Sequence, residues 1–216
     1  MKYQNIRAVI FDFDGTLADT LPLCYHAFRT VFKSFDGKYF TDEEIRSMFG
    51  PSEPAIIEAH LASDEKEAAI GLYFKTYSKN HDDFVIRNDK MHTLLTGLKD
   101  KGIKLGIVTG KSTKSLEISL KHLGMEDLFD CKISGDDVDR PKPDPEGIFK
   151  LLDELNLEKD EVVFLGDSDA DIGAGMSAGV WTIGVRWLPN VQTSRFSTAP
   201  DEVYKVIDDF MRKFSF

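Results

Sequence analysis

Cysteine is scarce in this chain: there are two in 216 residues, Cys24 and Cys131. Neither belongs to a CxxC pair or to a Cys/His ligand spacing, so a disulfide framework or a zinc module is not expected, and both read as buried thiols. Basic charge is also short, with 27 Lys and Arg against 37 Asp and Glu and a formal net charge of -10. A chain without basic excess has little with which to displace counterions from a nucleic acid or to adhere to an anionic bilayer, so neither is an expected partner. Apolar runs are short, well below the roughly 20 residues needed to span a membrane. The opening MKYQNIRAVI lacks the long apolar stretch and small-residue cleavage site of a secretory signal, which makes the cytoplasm the expected location. No internal repeat, low-complexity tract or long linker interrupts the chain. What is present is an ordinary folded composition, 42% hydrophobic and 30% charged, on a length that suits one large domain or a core with an insert.

Short apolar runs recur along the chain. They lie at Ile6 to Phe11, Lys104 to Thr109, Glu161 to Gly166 and Val180 to Val185, with a weaker one at Cys131 to Ser134. Between them the period changes from strand to helix. Met91, Leu94, Leu95 and Leu98 stand at i, i+3, i+4 and i+7 before Gly102. Ile148, Phe149, Leu152 and Leu155 form a second stripe behind Pro145, which suits a first helical turn capped by Asp144. Val203, Val206, Ile207 and Phe210 predict a last helix after Pro200. Near-continuous apolar strands alternating with amphipathic helices specify a parallel sheet covered on both faces, and ligands of such sheets bind beyond the carboxyl ends of the strands.

From Leu17 to Phe84 the alternation stops. Leu21, Cys24, Phe28, Val31, Phe32 and Phe35 make one helical stripe, and Ile70, Tyr73, Phe74 and Tyr77 make another. Thr41 and Glu44 form a capping box for a helix that Gly50 is expected to end. This segment reads as a small helical domain inserted after the first strand, with short hinges near residues 17–20 and 81–87.

Four strand ends carry candidate chemistry. Asp12 and Asp14 precede Gly15 in FDFDGTLADT, and Thr109 and Gly110 stand in GIVTGKS. Lys142 lies in DRPKPDP, while Asp167, Asp169 and Asp171 lie in LGDSDAD. If the sheet is parallel with right-handed connections, all four turns open on one edge. Alone, each has an ordinary explanation. Lys142 would be a solvated loop lysine, Thr109 a strand end, and the last acids a favourable charge at a helix N-terminus. The DxDG start does not suit a calcium loop, which wants an acid or amide near Thr16, glycine at Leu17 and glutamate at Leu23. GIVTGKS is not a P-loop either, because Gly106 and Gly110 enclose three residues where four are needed. Gly173, Gly175 and Ala178 echo a dinucleotide fingerprint but do not directly follow a strand, and read instead as close helix packing. Two aspartates directly after a buried strand are costly without a cation, and the chain offers one in Lys142.

Taken together and in this order, FDFDGTLADT, VTGKS, RPKPDP and GDSDADIGAGMSAG resemble the haloacid dehalogenase superfamily, in its phosphatase branch with a helical cap inserted after the first strand. Within that branch the chain is similar to phosphoglycolate phosphatases, the related pyrophosphatases and beta-phosphoglucomutases. The resemblance implies a Rossmann-like α/β core at 1–16 and 86–216 and a helical cap at 17–85. It implies that Asp12 is the nucleophile that forms an aspartyl phosphate and that Asp14 is the general acid and base. Thr109 and the Gly110 N–H would hold phosphoryl oxygens, and Lys142 would neutralise both phosphate and nucleophile. Magnesium is the implied cofactor, held by the Asp12 carboxylate, the Asp14 backbone oxygen and Asp167, with Asp171 just outside. Asp169 matches no fixed role and reads as a solvent-facing acid. MFGPSEPAII resembles the cap loop of the phosphatase and pyrophosphatase group and makes Arg46, Gly50, Pro51 and Ser52 candidates for substrate contact.

The expected activity is thus hydrolysis of a small soluble phosphomonoester, such as a phosphoglycolate-like compound, sugar phosphate or nucleotide, or of pyrophosphate. The acid at Asp14 argues against carbon-halogen cleavage, and the lack of a lysine from Ile45 to Pro54 argues against the phosphonate-cleaving relatives. Thr16, where the mutases tend to have valine, leans towards hydrolysis. A phosphosugar mutase is the alternative within catalysis, and a non-catalytic regulatory or binding protein is the alternative outside it. Oligomeric state is left open.

Overall fold

The computed structural model describes residues 5–213. The first residues of MKYQNIRAVI and the last three of the expected core segment lie outside them. Six strands form one sheet, and every neighbouring pair is parallel: β1 (Ala8–Phe11), β2 (Lys104–Val108), β3 (Cys131–Ile133), β4 (Val162–Gly166), β5 (Trp181–Val185) and β6 (Glu202–Tyr204). The spatial order β3-β2-β1-β4-β5-β6 places β1 at the centre, with the chain moving outward first on one side and then on the other. The switch point is therefore the crevice between β1 and β4, where ligands of open parallel sheets bind.

The strands carry apolar side chains on both sides because helices cover both faces. Val9 and Phe11 of β1 join one core cluster, while Ala8 and Ile10 join the other. The larger cluster lies under α6 (Asp89–Asp100), α7 (Thr113–Leu123) and α10 (Ile207–Lys213), and the smaller under α8 (Glu146–Leu155) and α9 (Asp169–Ala178). Phe11 and Phe164 are fully buried, and burying one such side chain contributes about 1.5–3 kcal/mol. Among the described residues no helix is long and apolar enough to cross a membrane.

Residues 21–84 are helical, with no strand: α1 (Leu21–Asp36), α2 (Asp42–Arg46), α3 (Glu53–His60), α4 (Lys66–Lys79) and α5 (His81–Phe84). Both expected apolar stripes face inward. Phe28 of α1 and Tyr73 of α4 meet with ring centroids 4.7 Å apart, and the Thr41–Glu44 capping box is formed.

Three helix boundaries and one buried stripe differ from expectation. The helix behind Thr41 ends at Arg46 with Ser47 as its cap, so Gly50 belongs to the loop beyond rather than to the helix end. Pro145 takes the N-cap place of α8, one residue later than expected, and the Asp144 Oδ1 accepts the Glu146 N–H at 3.0 Å. On that helix Phe149 is exposed and Leu151 takes its place in the buried stripe. The expected last helix splits. Val203 lies in the edge strand β6, held by the Asp201 N–H on Thr182 O and the Arg186 N–H on Tyr204 O, and helix begins only at Ile207. Pairing with β5 overrides the local 3.6-residue pattern there.

The Gly173 and Gly175 pair does allow close packing. A Cβ on Gly175 would stand 2.3 Å from Thr182 Oγ1 and 2.8 Å from Thr182 Cγ2. Thr182 is fully buried and its hydroxyl donates to Val180 O, so it has little room to yield. Overpacking of about 1–3 kcal/mol outweighs the gain of about 1 kcal/mol in helix propensity. Gly175→Ala is expected to destabilise the protein by about 1 kcal/mol in urea denaturation, and a rise in stability would contradict this close approach of α9 to the sheet.

Candidate functional site

The turns after β1, β2 and β4 and the loop before α8 converge on one edge of the sheet, as the parallel topology requires. Asp12 directly follows β1 and is tied to β4 by its N–H on Leu165 O at 2.8 Å. Its side chain is buried. Oδ1 accepts from the Lys142 Nζ at 2.6 Å, while Oδ2 has no hydrogen-bond partner. Lys142 also donates to Asp171 Oδ1 at 2.5 Å and to Val108 O at 3.1 Å. The second Asp171 oxygen accepts from the Ser168 N–H and hydroxyl at 2.9 and 2.5 Å, which closes the capping box of α9. Asp171 thus holds the lysine while the helix terminus holds Asp171.

Asp167 completes a buried group in which one oxygen from each of Asp12, Asp167 and Asp171 lies within 4.8 Å of the others. Burial, then the neighbouring Asp171, raises the Asp12 pKa to about 7 against the opposing pull of Lys142. Burial and the Asp12 and Asp171 carboxylates raise Asp167 well above the usual range. For Lys142, burial works against the charge, but Asp12 and Asp171 outweigh it and raise the pKa.

Gly15, at φ 83°, makes room for this cluster. A Cβ there would stand 2.3 Å from Asp167 Oδ2, so the acid packs directly against the backbone of the turn. Asp167 Oδ1 and the Asp14 carbonyl both accept from the Gln192 Nε2, at 3.3 and 3.2 Å, and so converge on one donor. A partnerless buried oxygen on Asp12, a second buried carboxylate and a backbone carbonyl that shares a donor with it form an oxygen-rich donor set that fits a hard divalent cation.

The Asp14 side chain turns away from that cluster. It accepts from the Thr20 hydroxyl and from the Lys111 Nζ at 3.0 Å. Lys111 is buried, and its ammonium also meets Glu53 Oε1 at 3.3 Å. Burial disfavours that charge, but Asp14 and its other neighbours raise the Lys111 pKa well above the usual value. The second Glu53 oxygen accepts the Ser112 N–H at 2.7 Å, at the N-terminus of α7. A residue of the helical segment therefore reaches across to the sheet edge and engages the lysine that holds Asp14.

A cavity of about 280 Å³ opens over these groups. Asp12, Asp14, Thr109, Gly110, Lys111 and Lys142 form its floor, while Arg46, Phe49, Gly50 and Pro51 contribute walls from the helical segment. Thr109 is buried, and its hydroxyl accepts the Lys111 N–H at 3.2 Å. Arg46 donates to the Tyr25 hydroxyl at 3.0 Å. Ser52 is buried against Gly135 rather than being part of the cavity wall. Asp169 is exposed at the mouth, where it accepts the Ser197 N–H at 2.8 Å. Cys24 and Cys131 are free and buried, as expected.

Three participants escaped the sequence reading. Lys111 lies inside the VTGKS motif, but spacing alone names no partner for it. Glu53 stood in the quoted MFGPSEPAII segment without a partner that spacing could supply. Gln192 lies in the long connection between β5 and β6, where no periodicity marks it.

Residues 9–185 match the haloacid dehalogenase-like hydrolase family. The chain is 34% identical over 210 residues to the pyrophosphatase PpaX of Listeria monocytogenes serotype 4b (strain CLIP80459), covering 96% of this chain and 95% of that protein. Among solved structures it resembles CbbY from Rhodobacter sphaeroides in complex with phosphate, with a TM-score of 0.82, 24% identity and coverage of 95% and 96%. It also resembles a putative beta-phosphoglucomutase from Thermotoga maritima, with a TM-score of 0.70, 28% identity and coverage of 96% and 99%. The chain belongs to the haloacid dehalogenase-like hydrolase family, and within it is an enzyme of the phosphatase kind.

Removing Glu53 leaves the Ser112 N–H unpaired and the buried Lys111 with one carboxylate fewer. Glu53→Ala is expected to cost about 1–3 kcal/mol. In a double-mutant cycle with Lys111→Met, the two losses should fall short of additivity by about 0.5–3 kcal/mol. Chemical denaturation of the four proteins checks this, and strict additivity would mean that the pair is not coupled in solution.

Proposed function

We propose that the protein is a magnesium-dependent phosphohydrolase that cleaves a small soluble phosphomonoester or pyrophosphate through an aspartyl phosphate on Asp12. The observation that carries this reading is the Asp12 carboxylate itself, with one oxygen fixed by Lys142 and the other buried without a partner. A nucleophilic carboxylate needs both an orienting cation and a free electron pair. The 34% identity to a pyrophosphatase supports the same reaction class.

Asp12 attacks phosphorus and releases the leaving group, and water then cleaves the acyl phosphate. Lys142 keeps Asp12 oriented and offsets the charge of the incoming phosphoryl group. The Thr109 hydroxyl and the Gly110 N–H hold phosphoryl oxygens. Asp14 protonates the leaving oxygen and then takes a proton from the attacking water, with Thr20 and Lys111 fixing its carboxylate. Magnesium would be held by the Asp12 carboxylate, the Asp14 carbonyl and Asp167, where it would supply the positive charge that lets a carboxylate approach a phosphate dianion. Asp171 acts through Lys142. Residues 17–85 form the cap, Arg46 with Gly50 and Pro51 meets the leaving group, and the Glu53 contact with Lys111 and Ser112 accompanies closure, which excludes bulk water from the intermediate.

Incubation with magnesium and a panel of phosphorylated metabolites and pyrophosphate is expected to release inorganic phosphate. Asp12→Asn should reduce that release to background with an unchanged circular dichroism spectrum. If no phosphate appears but beta-glucose 1-phosphate becomes glucose 6-phosphate, the protein is a mutase. If neither occurs and no phosphoenzyme forms, the catalytic reading fails.

The acid cluster adds a dependence on pH. In the folded protein Asp12 is raised from its ordinary 3.8 to about 7, so without a divalent cation the folded state binds more protons than the unfolded state across that window. Stability then falls as pH rises from about 4 to 7. A cation binds the ionised form and removes this penalty. The rise in melting temperature on adding magnesium should be larger at about pH 8 than at about pH 5, and equal rises would argue against a cation on these carboxylates.

A further inference from the structure

A second group of ligand-type side chains lies away from the catalytic edge, where α5 meets α7. His81 opens α5, Asp82 follows it, and His122 stands in the last turn of α7. One ligand atom from each lies within 4.8 Å of the others. The His122 Nδ1 is 2.7 Å from Asp82 Oδ1, the His81 Nδ1 is 3.8 Å from the same oxygen, and the two imidazoles stack with centroids 4.6 Å apart.

The state of His81 is what calls for a ligand. Its ring is buried, with an exposure of 1%, and its Nε2 lies 3.2 Å from the Ser119 hydroxyl, which also meets the Tyr77 hydroxyl at 2.8 Å. Its Nδ1 is buried and has no hydrogen-bond partner. Buried polar atoms are nearly always satisfied, so an imidazole nitrogen left bare beside a carboxylate and a second imidazole is an exception that needs a cause. Burial, and then the neighbouring His122, disfavour the charged form of this ring. Neutral imidazole is the form that binds metals.

We propose that His81, Asp82 and His122 form a binding site for a first-row divalent transition metal of the zinc type, joining α5 to α7. Imidazole suits zinc, cobalt, nickel and copper, whereas magnesium prefers an all-oxygen set and is discriminated against here. Coordination through the His81 Nδ1 puts its proton on Nε2, facing the Ser119 oxygen, which is the outer-shell arrangement that orients a metal-bound histidine. Asp82 and His122 keep exposures of 79% and 27%, so the site is reached from solvent and water can complete the coordination. The metal would tie the end of the helical segment to a helix of the sheet domain, at the junction where a moving cap has to flex. The site shares no residue with the catalytic cluster, so it stands or falls apart from the phosphohydrolase reading.

The test is calorimetric titration of the full-length protein with zinc, in excess magnesium to occupy the acidic cluster, and with cobalt for its visible absorption. A single saturable equivalent is expected, with cobalt bands of low-symmetry nitrogen and oxygen ligation. His122→Gln and Asp82→Asn replace partly exposed side chains and should preserve the fold while each weakens zinc at least about tenfold, since losing an inner ligand exceeds the cost of losing an outer one. Ser119→Ala should weaken it by about tenfold. Zinc affinity unchanged in both His122→Gln and Asp82→Asn, or absence of a saturable equivalent in the parent protein, overturns the site.

Discussion

The ammonium of Lys142, shared between Asp12 and Asp171, is the interaction on which the sheet edge depends. Three carboxylates are buried at the switch point within 4.8 Å of one another, and one cation is supplied by the chain itself. Without that ammonium, Asp12 and Asp171 would repel each other in a medium of low dielectric constant, and the simplest escape would be to protonate or to open the turns. The lysine cannot come from β1 or β4, whose side chains at this level are already apolar or acidic. It arrives instead on the loop before α8, and it is steadied there by the Val108 carbonyl and by an aspartate that the N-terminus of α9 holds in place. Three elements distant in sequence are thereby fixed to one another by one charge.

The second lysine divides the labour of the two opening acids. Asp12 and Asp14 are two residues apart, yet Asp12 turns to Lys142 and the buried carboxylates while the Asp14 side chain turns to Lys111 and Thr20. Their like charges are thus separated onto different cations. The Asp14 carbonyl shares the Gln192 Nε2 with Asp167, while the Asp14 carboxylate meets Lys111. Asp12 is buried against its lysine, whereas the Asp14 side chain is partly exposed.

Much of this was legible because it follows from short-range pattern. The continuous apolar strands specified a parallel sheet buried on both faces, and such a sheet forces FDFDGTLADT, VTGKS, RPKPDP and GDSDAD to one edge. The Lys142 pairing with Asp12 was therefore foreseeable from topology and charge. What was hidden depends on contacts that spacing does not encode. β6 is three residues long, too short for periodicity to distinguish from a helix start, and its identity comes from pairing with β5. Gln192 reaches the acid cluster from an irregular connection, and Glu53 reaches Lys111 across the gap between the helical segment and the core. Ser52 and Glu53 are neighbours, and only the direction of the chain into α3 decided that the acid rather than the hydroxyl would face the site.

The same division explains why the reaction class is plain and the substrate is not. Chemistry on phosphorus is dictated by groups at the strand ends, where the sheet leaves little freedom in their positions. The walls that would contact a leaving group come from the end of α2 and the loop between α2 and α3, whose conformation is set by packing among helices rather than by a ladder. Arg46 illustrates the difference. Its guanidinium is held by the Tyr25 hydroxyl and lies over that ring with its carbon 5.8 Å from the centroid. That arrangement aims a permanent cation at the cavity while leaving donors of its planar fork for an anion. An arginine so placed complements the charge of an anion that enters the cavity. The helical segment thus supplies the cavity with walls and a fixed cation, whereas the strand ends supply the acids and lysines of its floor.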